Sequence, residues 1–131
     1  MKRLLCIVLA FLMLFALYSC NTSSIKEGSE VTLIFAVGEK NISEKLTDEE
    51  AARMIEILDG NSLTNRVRGV PSCSFDENVA IKIGSRTYAI ALDTCGTVME
   101  TGSLKYFNIS DEDIAYIHSV FEKYGGYFPC V

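Results

Sequence analysis

Large apolar residues alternate with small or polar ones in two stretches near the middle of the chain, Val79–Ile83 and Tyr88–Leu92. This alternation is typical of strands that bury one face. Gly84-Ser85 between them predicts a type II′ turn, because that turn needs a positive φ at its first position. The region from Cys73 to Cys95 therefore predicts an antiparallel hairpin with a cysteine at each open end.

The turn also predicts the register of the hairpin. It pairs Val79 with Ile90, so that the large apolar residues share one face. If the same register continues, Ser74 lies opposite Cys95. Cys73 and Cys95 then end within about one position of each other, which makes a disulfide between them geometrically plausible.

Further strands are predicted on both sides of the hairpin. The β-branched and aromatic run Val31–Val37 predicts a first strand, and Ile42–Leu46 predicts a second that pairs with it across the turn at Gly38–Asn41. After the hairpin, Thr97–Glu100 predicts an optional short strand and Leu104–Ile109 a longer one.

Two helices are predicted from their first turns. Thr47–Glu50 has the sequence of a capping box, followed by apolar residues at helical spacing and by a stop at Gly60. Ser110–Asp113 begins the second helix with the same chemistry, and Gly125-Gly126 ends it. Residues 61–72 between the first helix and the hairpin form the longest predicted loop.

The predicted element order is β-β-α-β-β-(β)-β-α. It favours a single α+β domain over residues 31–131, with an antiparallel sheet and two helices packed on one face. Lys82 and Lys105 suggest that the outer face of the sheet is partly solvated. We expect that outer face to be a contact surface.

The N-terminal residues have the pattern of a secretory signal peptide. Lys2 and Arg3 precede the apolar run Leu4–Leu17, which is shorter than the roughly 18 residues of a spanning helix. The ending Leu17-Tyr18-Ser19-Cys20 resembles the lipobox of bacterial lipoproteins. The resemblance implies that residues 1–19 are removed and that lipid is attached to Cys20. Residues 20–30 would then form a polar, flexible tether.

Charge narrows the range of partners. The chain has a net charge of −5, and removal of residues 1–19 would change it to −7, because that segment holds two basic and no acidic residues. Arg66 and Arg68 form at most a weak basic patch. The sequence therefore predicts no nucleic-acid partner. The partners predicted are a membrane, through lipid on Cys20, and a protein at the cell surface.

The remaining cysteines predict one disulfide. With Cys20 acylated, Cys73, Cys95 and Cys130 remain, and three thiols allow three pairings. The hairpin register favours Cys73–Cys95, with Cys130 as a free thiol or an alternative partner. A structural metal site needs four suitably spaced ligands. Three scattered cysteines and a single histidine do not supply them, so no metal is expected.

Few features of the sequence support an enzyme. His118 lies on the apolar stripe of the second helix, where a packed histidine is the simpler interpretation, and the acidic clusters at 48–50 and 111–113 are explained by helix capping. No catalytic residues or cofactor are predicted. The expected function is a lipid-anchored, non-catalytic binding or accessory protein of the bacterial envelope, exposed outside the cytoplasm. The alternative is a small thiol-dependent enzyme or redox protein that uses the leftover cysteine.

Overall fold

A computed structural model describes residues 28–128, in which six antiparallel strands form one sheet in the order β2-β1-β3-β4-β5-β6. Two helices pack on one face of this sheet. The predicted α+β class and element order are confirmed, including the optional strand. The elements are β1 (Val31–Phe35), β2 (Ile42–Lys45), α1 (Asp48–Thr64), β3 (Phe75–Ile83), β4 (Arg86–Ala91), β5 (Thr97–Glu100), β6 (Lys105–Asn108) and α2 (Asp111–Lys123).

The central hairpin forms as predicted near its turn. Gly84 has a φ of +59°, and Ile81 pairs with Tyr88. The predicted register is wrong further from the turn, because the pairing becomes irregular between Phe75 and Ala80. Phe75 pairs with Ala91, whereas the predicted register would pair it with Thr94, three residues after Ala91.

A side-chain hydrogen bond accompanies this irregularity. The Asp76 carboxylate accepts the Asn78 amide at 2.9 Å, which is the local contact of an Asx turn. The Asn78 carbonyl in turn accepts the Ala36 amide at 2.8 Å. The pairing of Ser74 with Cys95 does not form beyond this irregularity. The Ser74 carbonyl instead accepts the Leu92 amide at 2.9 Å.

Both predicted helix starts are confirmed. Thr47 and Glu50 form the reciprocal bonds of a capping box, and the Ser110 hydroxyl accepts the Asp113 amide at 3.1 Å. The predicted end of α1 at Gly60 is wrong. Gly60 does not take the left-handed backbone of a helix stop, and the helix continues to Thr64.

The core lies between the helices and the inward face of the sheet. Its members from both helices and from five strands form one apolar cluster. The largest fully buried side chains are Tyr88, Phe35, Phe107, Phe121, Leu33, Met54, Ile57, Leu58, Ile81, Ile83, Ile90 and Ile117. The C-terminal segment folds onto this layer, since Phe128 packs edge-on against Phe121 with ring centroids 5.2 Å apart.

The outward face of the sheet carries a row of small and apolar residues. Register places Ile34, Ala80, Ala89, Met99 and Tyr106 side by side across five strands. The Tyr106 ring lies 5.6 Å from that of Phe75.

Lys82 is exposed on this outward face, as predicted. Lys105 is not on it. Lys105 pairs with Glu100, and Glu100 pairs with the core residue Tyr88. Lys105 therefore lies at one end of the helix-covered face.

Candidate functional site

The two hairpin cysteines lie close together although the predicted register fails. The Sγ atoms of Cys73 and Cys95 and a carboxylate oxygen of Asp93 lie within 4.8 Å of one another. Both cysteines are half-buried thiols in this structure. This proximity favours the predicted Cys73–Cys95 pairing, which stays a prediction.

Asp93 holds the two cysteine segments together. One carboxylate oxygen accepts the Ser74 amide at 3.2 Å, and the other accepts the Cys95 amide at 3.0 Å. These bonds join the residue after Cys73 to Cys95 itself. The hydrogen bonds from Cys95 and Ser74 lower the pKa of the Asp93 carboxyl, so it is ionised at neutral pH.

Neighbouring groups make Cys95 a weak acid. The hydrogen bond with Cys73 and the one with Asp93 raise the pKa of the Cys95 thiol to about 12. The thiolate is the nucleophile in cysteine chemistry, and it would be scarce at this position near pH 7. The Cys95 thiol is therefore a poor nucleophile at neutral pH.

The same three side chains are potential metal ligands. Two thiols and a carboxylate suit a zinc-like cation, but structural zinc sites use four ligands. Among residues 28–128, only this group brings three such side chains together. No contact of Asp93 with the cysteine segments was predicted from the sequence, although Asp93 lies two residues before Cys95.

The other two cysteines named from the sequence lie outside the described residues. Cys20, the predicted lipid attachment point, precedes Gly28, and Cys130 follows Phe128.

His118 is packed, as the helical pattern predicted. Its ring stacks on Phe128 at 3.8 Å, and its Nε2 atom is buried without a hydrogen-bond partner in residues 28–128. Burial lowers the pKa of His118. The neutral ring therefore prevails at pH 7, packed against an aromatic residue.

Of the two acidic clusters, only the first contains a buried residue. Glu50 is 9% exposed and accepts hydrogen bonds from Lys123 Nζ at 2.6 Å and from Tyr124 Oη at 2.8 Å. Burial alone raises the pKa of this carboxyl, but the bonds from Lys123, Tyr124 and Thr47 together lower it to about 2. Its role is structural, because it joins the start of α1 to the end of α2.

A cleft of about 490 Å³ lies between the residues before β1 and the first turns of α1. Its volume is in the range of small-molecule sites. The charged residues Glu30 and Lys45 on its rim pair with each other at 3.3 Å. Leu46, Ala51 and Ile55 contribute apolar surface, and Asp48 and Glu56 add carboxylates to the lining.

A basic and apolar patch lies where the loop after α1 meets the β5–β6 turn. Val70 is 82% exposed and Leu104 is 66% exposed. Together with Arg66 and Lys105 they line a shallow hollow of about 360 Å³. Apart from the two arginines of the loop, nothing in the sequence pattern predicted this patch. Its apolar members come from segments more than thirty residues apart.

Two further findings bear on function. Neither helix within residues 28–128 is long and apolar enough to cross a bilayer. Comparison with protein-family models, curated proteins and solved structures found no match for this chain.

Proposed function

We propose that this chain is an exported, lipid-anchored, non-catalytic binding protein of the bacterial envelope. Residues 1–19 would be removed as a signal peptide, and Cys20 would carry the lipid. The basic start, the apolar run and the lipobox-like Leu17-Tyr18-Ser19-Cys20 support the anchor. Two or three fatty chains on one cysteine hold a protein stably on a membrane, whereas one holds weakly.

The chemistry of the paired cysteines is the observation that carries the non-catalytic part of the proposal. Outside the cytoplasm, two adjacent thiols tend to form a disulfide. Asp93 also accepts the amides of Ser74 and Cys95, so it holds the two segments beside each other. Both properties are those of a structural clamp.

The outward sheet face is the surface we assign to binding. Both helices cover the opposite face, and the row from Ile34 to Tyr106 is apolar and close-packed. Ala80 and Ala89 in this row are fully buried, and Met99 is 9% exposed. A partner on this face would therefore contact mainly Ile34 and Tyr106, which are half-buried.

Cross-linking in the native membrane tests this assignment. The tagged chain would be compared with Ile34→Arg and Tyr106→Arg on the outward face, and with Ala115→Arg, an exposed residue of α2, as the matched control. We expect one partner to be captured by the wild type and the control but lost from both face variants. A partner kept by the face variants, or none in any sample, would contradict the proposal.

The proximity of Cys73 and Cys95 favours a second candidate, a redox protein that cycles between dithiol and disulfide. Alkylation of the reduced protein over a range of pH distinguishes the two. Trapping of both thiols near pH 7 at the rate of a low-pKa thiol would favour the redox candidate. Slow trapping that rises only in strong alkali would favour the clamp.

A further inference from the structure

We infer that one end of the sheet docks on an anionic membrane surface, through Val70, Leu104, Arg66 and Lys105. It is the end at which the chain enters β1. This inference rests on the proposed anchor at Cys20. It adds the orientation of the domain and the residues that meet the lipid.

The register places the chain entry and two turns at one end of the sheet. Val31, the first residue of β1, pairs with Ile83, and the Glu30 carbonyl accepts the Gly84 amide at 3.2 Å. Since β5 and β6 are antiparallel to their neighbours, the turn Thr101–Leu104 lies at this same end. We call this end the entry end.

The loop after α1 brings a second exposed residue to the entry end. The Val67 amide donates to the Tyr106 carbonyl at 2.9 Å, so the loop runs beside β6 toward its first residue. Val70 thereby reaches Leu104, and both line the same hollow. Two exposed aliphatic side chains from separate segments thus lie side by side.

The backbone of Leu104 is unusual. Its φ is +49°, the only positive value among non-glycine residues in the range 28–128. A leucine at such a φ is strained, and strain of this kind clusters at functional sites. Here it accompanies a side chain that points into solvent with 66% of its surface exposed.

The charges beside these side chains suit an anionic surface. Within the described residues, neither Arg66 nor Lys105 takes part in an ion pair, although Glu100 pairs with Lys105 in the ladder. At the same end Lys45 pairs with Glu30 at 3.3 Å and Arg86 lies 4.0 Å from Glu100, whereas Lys82 has no ion pair within the described residues. The exposed apolar pair is therefore flanked by two basic residues, in a chain whose net charge is −5.

Chain length restricts how far the entry end can lie from the lipid. Gly28 follows Cys20 by eight positions, with seven residues between them. Even fully extended these eight positions span at most about 29 Å, at up to 3.6 Å per residue. An anchored domain would thus keep its entry end close to the bilayer, which favours a membrane over a protein as the occupant of the patch. Basic residues near an anionic leaflet are attracted to it.

Tryptophan fluorescence can test this orientation, because the chain contains no tryptophan. Leu104→Trp places a single reporter at the entry end. The matched control is Tyr127→Trp, since Tyr127 is 41% exposed and packs on Phe35 at the far end of β1. Each protein would be produced as the full precursor, purified from membranes and reconstituted in phosphatidylcholine–phosphatidylglycerol vesicles with brominated acyl chains.

We expect bromine to quench the reporter at position 104 several-fold more strongly than the one at position 127. Val70→Trp is a second reporter in case the Leu104 variant misfolds. Equal or absent quenching in protein that floats with the vesicles would overturn the inference and leave the anchor intact; that is also the outcome if a protein partner occupies the patch. Protein that does not float would overturn both the anchor and the inference.

Charge variants give an independent readout. Arg66→Glu combined with Lys105→Glu should reduce quenching at position 104 in vesicles that contain phosphatidylglycerol. Lys40→Glu, beside Tyr127 at the opposite end, should leave it unchanged. Equal quenching in both charge variants would overturn the assignment of Arg66 and Lys105 to the membrane contact.

Discussion

Glu50 in the first turn of α1 accepts a 2.6 Å hydrogen bond from Lys123 in the last turn of α2, 73 residues away. The same carboxylate completes the capping box of its own helix and accepts the Tyr124 hydroxyl. One buried charge thus fixes the start of one helix to the end of the other.

Glu50→Gln should destabilise the domain by about 1.5–3 kcal/mol, the usual range for hydrogen bonds to a charged group. The amide retains the capping geometry but loses the charge. Because Lys123 is more than half exposed, solvent screening keeps the effect below that of a fully buried ion pair. Denaturant unfolding measures it, with the exposed neighbour Glu49→Gln as control.

The same carboxyl predicts a pH dependence. Its pKa falls from 4.5 to about 2 on folding, so its contribution is complete above about pH 4.5 and is lost as the pH falls through about 2. The wild type should therefore lose more stability than Glu50→Gln between these pH values. Parallel curves for the two proteins would show that the carboxyl is not stabilised in the folded state.

The helix starts provide a second test. Thr47→Ala and Ser110→Ala should each lower the free energy of unfolding by about 0.5–2 kcal/mol. Thr47 should have the larger effect, because its hydroxyl also bonds Glu50 Oε2 at 3.0 Å. Ser43→Ala on the exposed edge strand β2 is the control. Losses no larger than the control's would mean that these hydroxyls do not stabilise the helices.

His118→Leu should change stability by less than about 1 kcal/mol at pH 7, because it removes a buried nitrogen that has no partner in the described residues. Burial lowers the pKa of His118 below 6.5, so wild-type stability falls as the pH drops below that value. The variant should therefore gain relative to the wild type at pH 5. Loss of a measured activity with the fold retained would instead support a catalytic histidine.

The exported protein should contain a Cys73–Cys95 disulfide. Proteolysis without reduction, followed by peptide mass mapping, should link the two hairpin peptides. In the chain-entropy model, a bridge over a loop of about 20 residues contributes roughly 3 kcal/mol. Asp93→Asn should weaken the contact between the two segments and make the bridge easier to reduce. Linkage of either cysteine to Cys130 would refute this pairing.

Local signals predicted much of the fold. The caps at Thr47 and Ser110 and the turn at Gly84 depend on residues within a few positions, so the sequence contains all that determines them. The irregularity in β3 was not predicted by the alternating pattern, and it lies beside a contact remote in sequence, in which the Asn78 carbonyl accepts the amide of Ala36 just after β1. The thiols lie close although the register differs, and Asp93 links their segments by accepting the Ser74 and Cys95 amides.

The parts of the site that were missed depend on longer-range contacts. The hydrogen bonds to Glu50 come from Lys123 and Tyr124 at the end of α2. The pairing of Val70 with Leu104 requires α1 to continue past Gly60 and the following loop to lie along β6. A glycine in a helical pattern normally predicts a stop. At Gly60 the helix continues, and the Thr64 hydroxyl donates to the Gly60 carbonyl at 3.0 Å.

Lipid attachment at Cys20 is the central claim, and mass spectrometry of the membrane-purified protein tests it most directly. We predict an N-terminal peptide that begins at Cys20 and carries fatty acyl mass. Cys20→Ala should abolish fatty-acid labelling, whereas Cys6→Ala, inside the proposed signal peptide, should retain it. Labelling that persists in Cys20→Ala, or a mature N-terminus without lipid, would contradict the account.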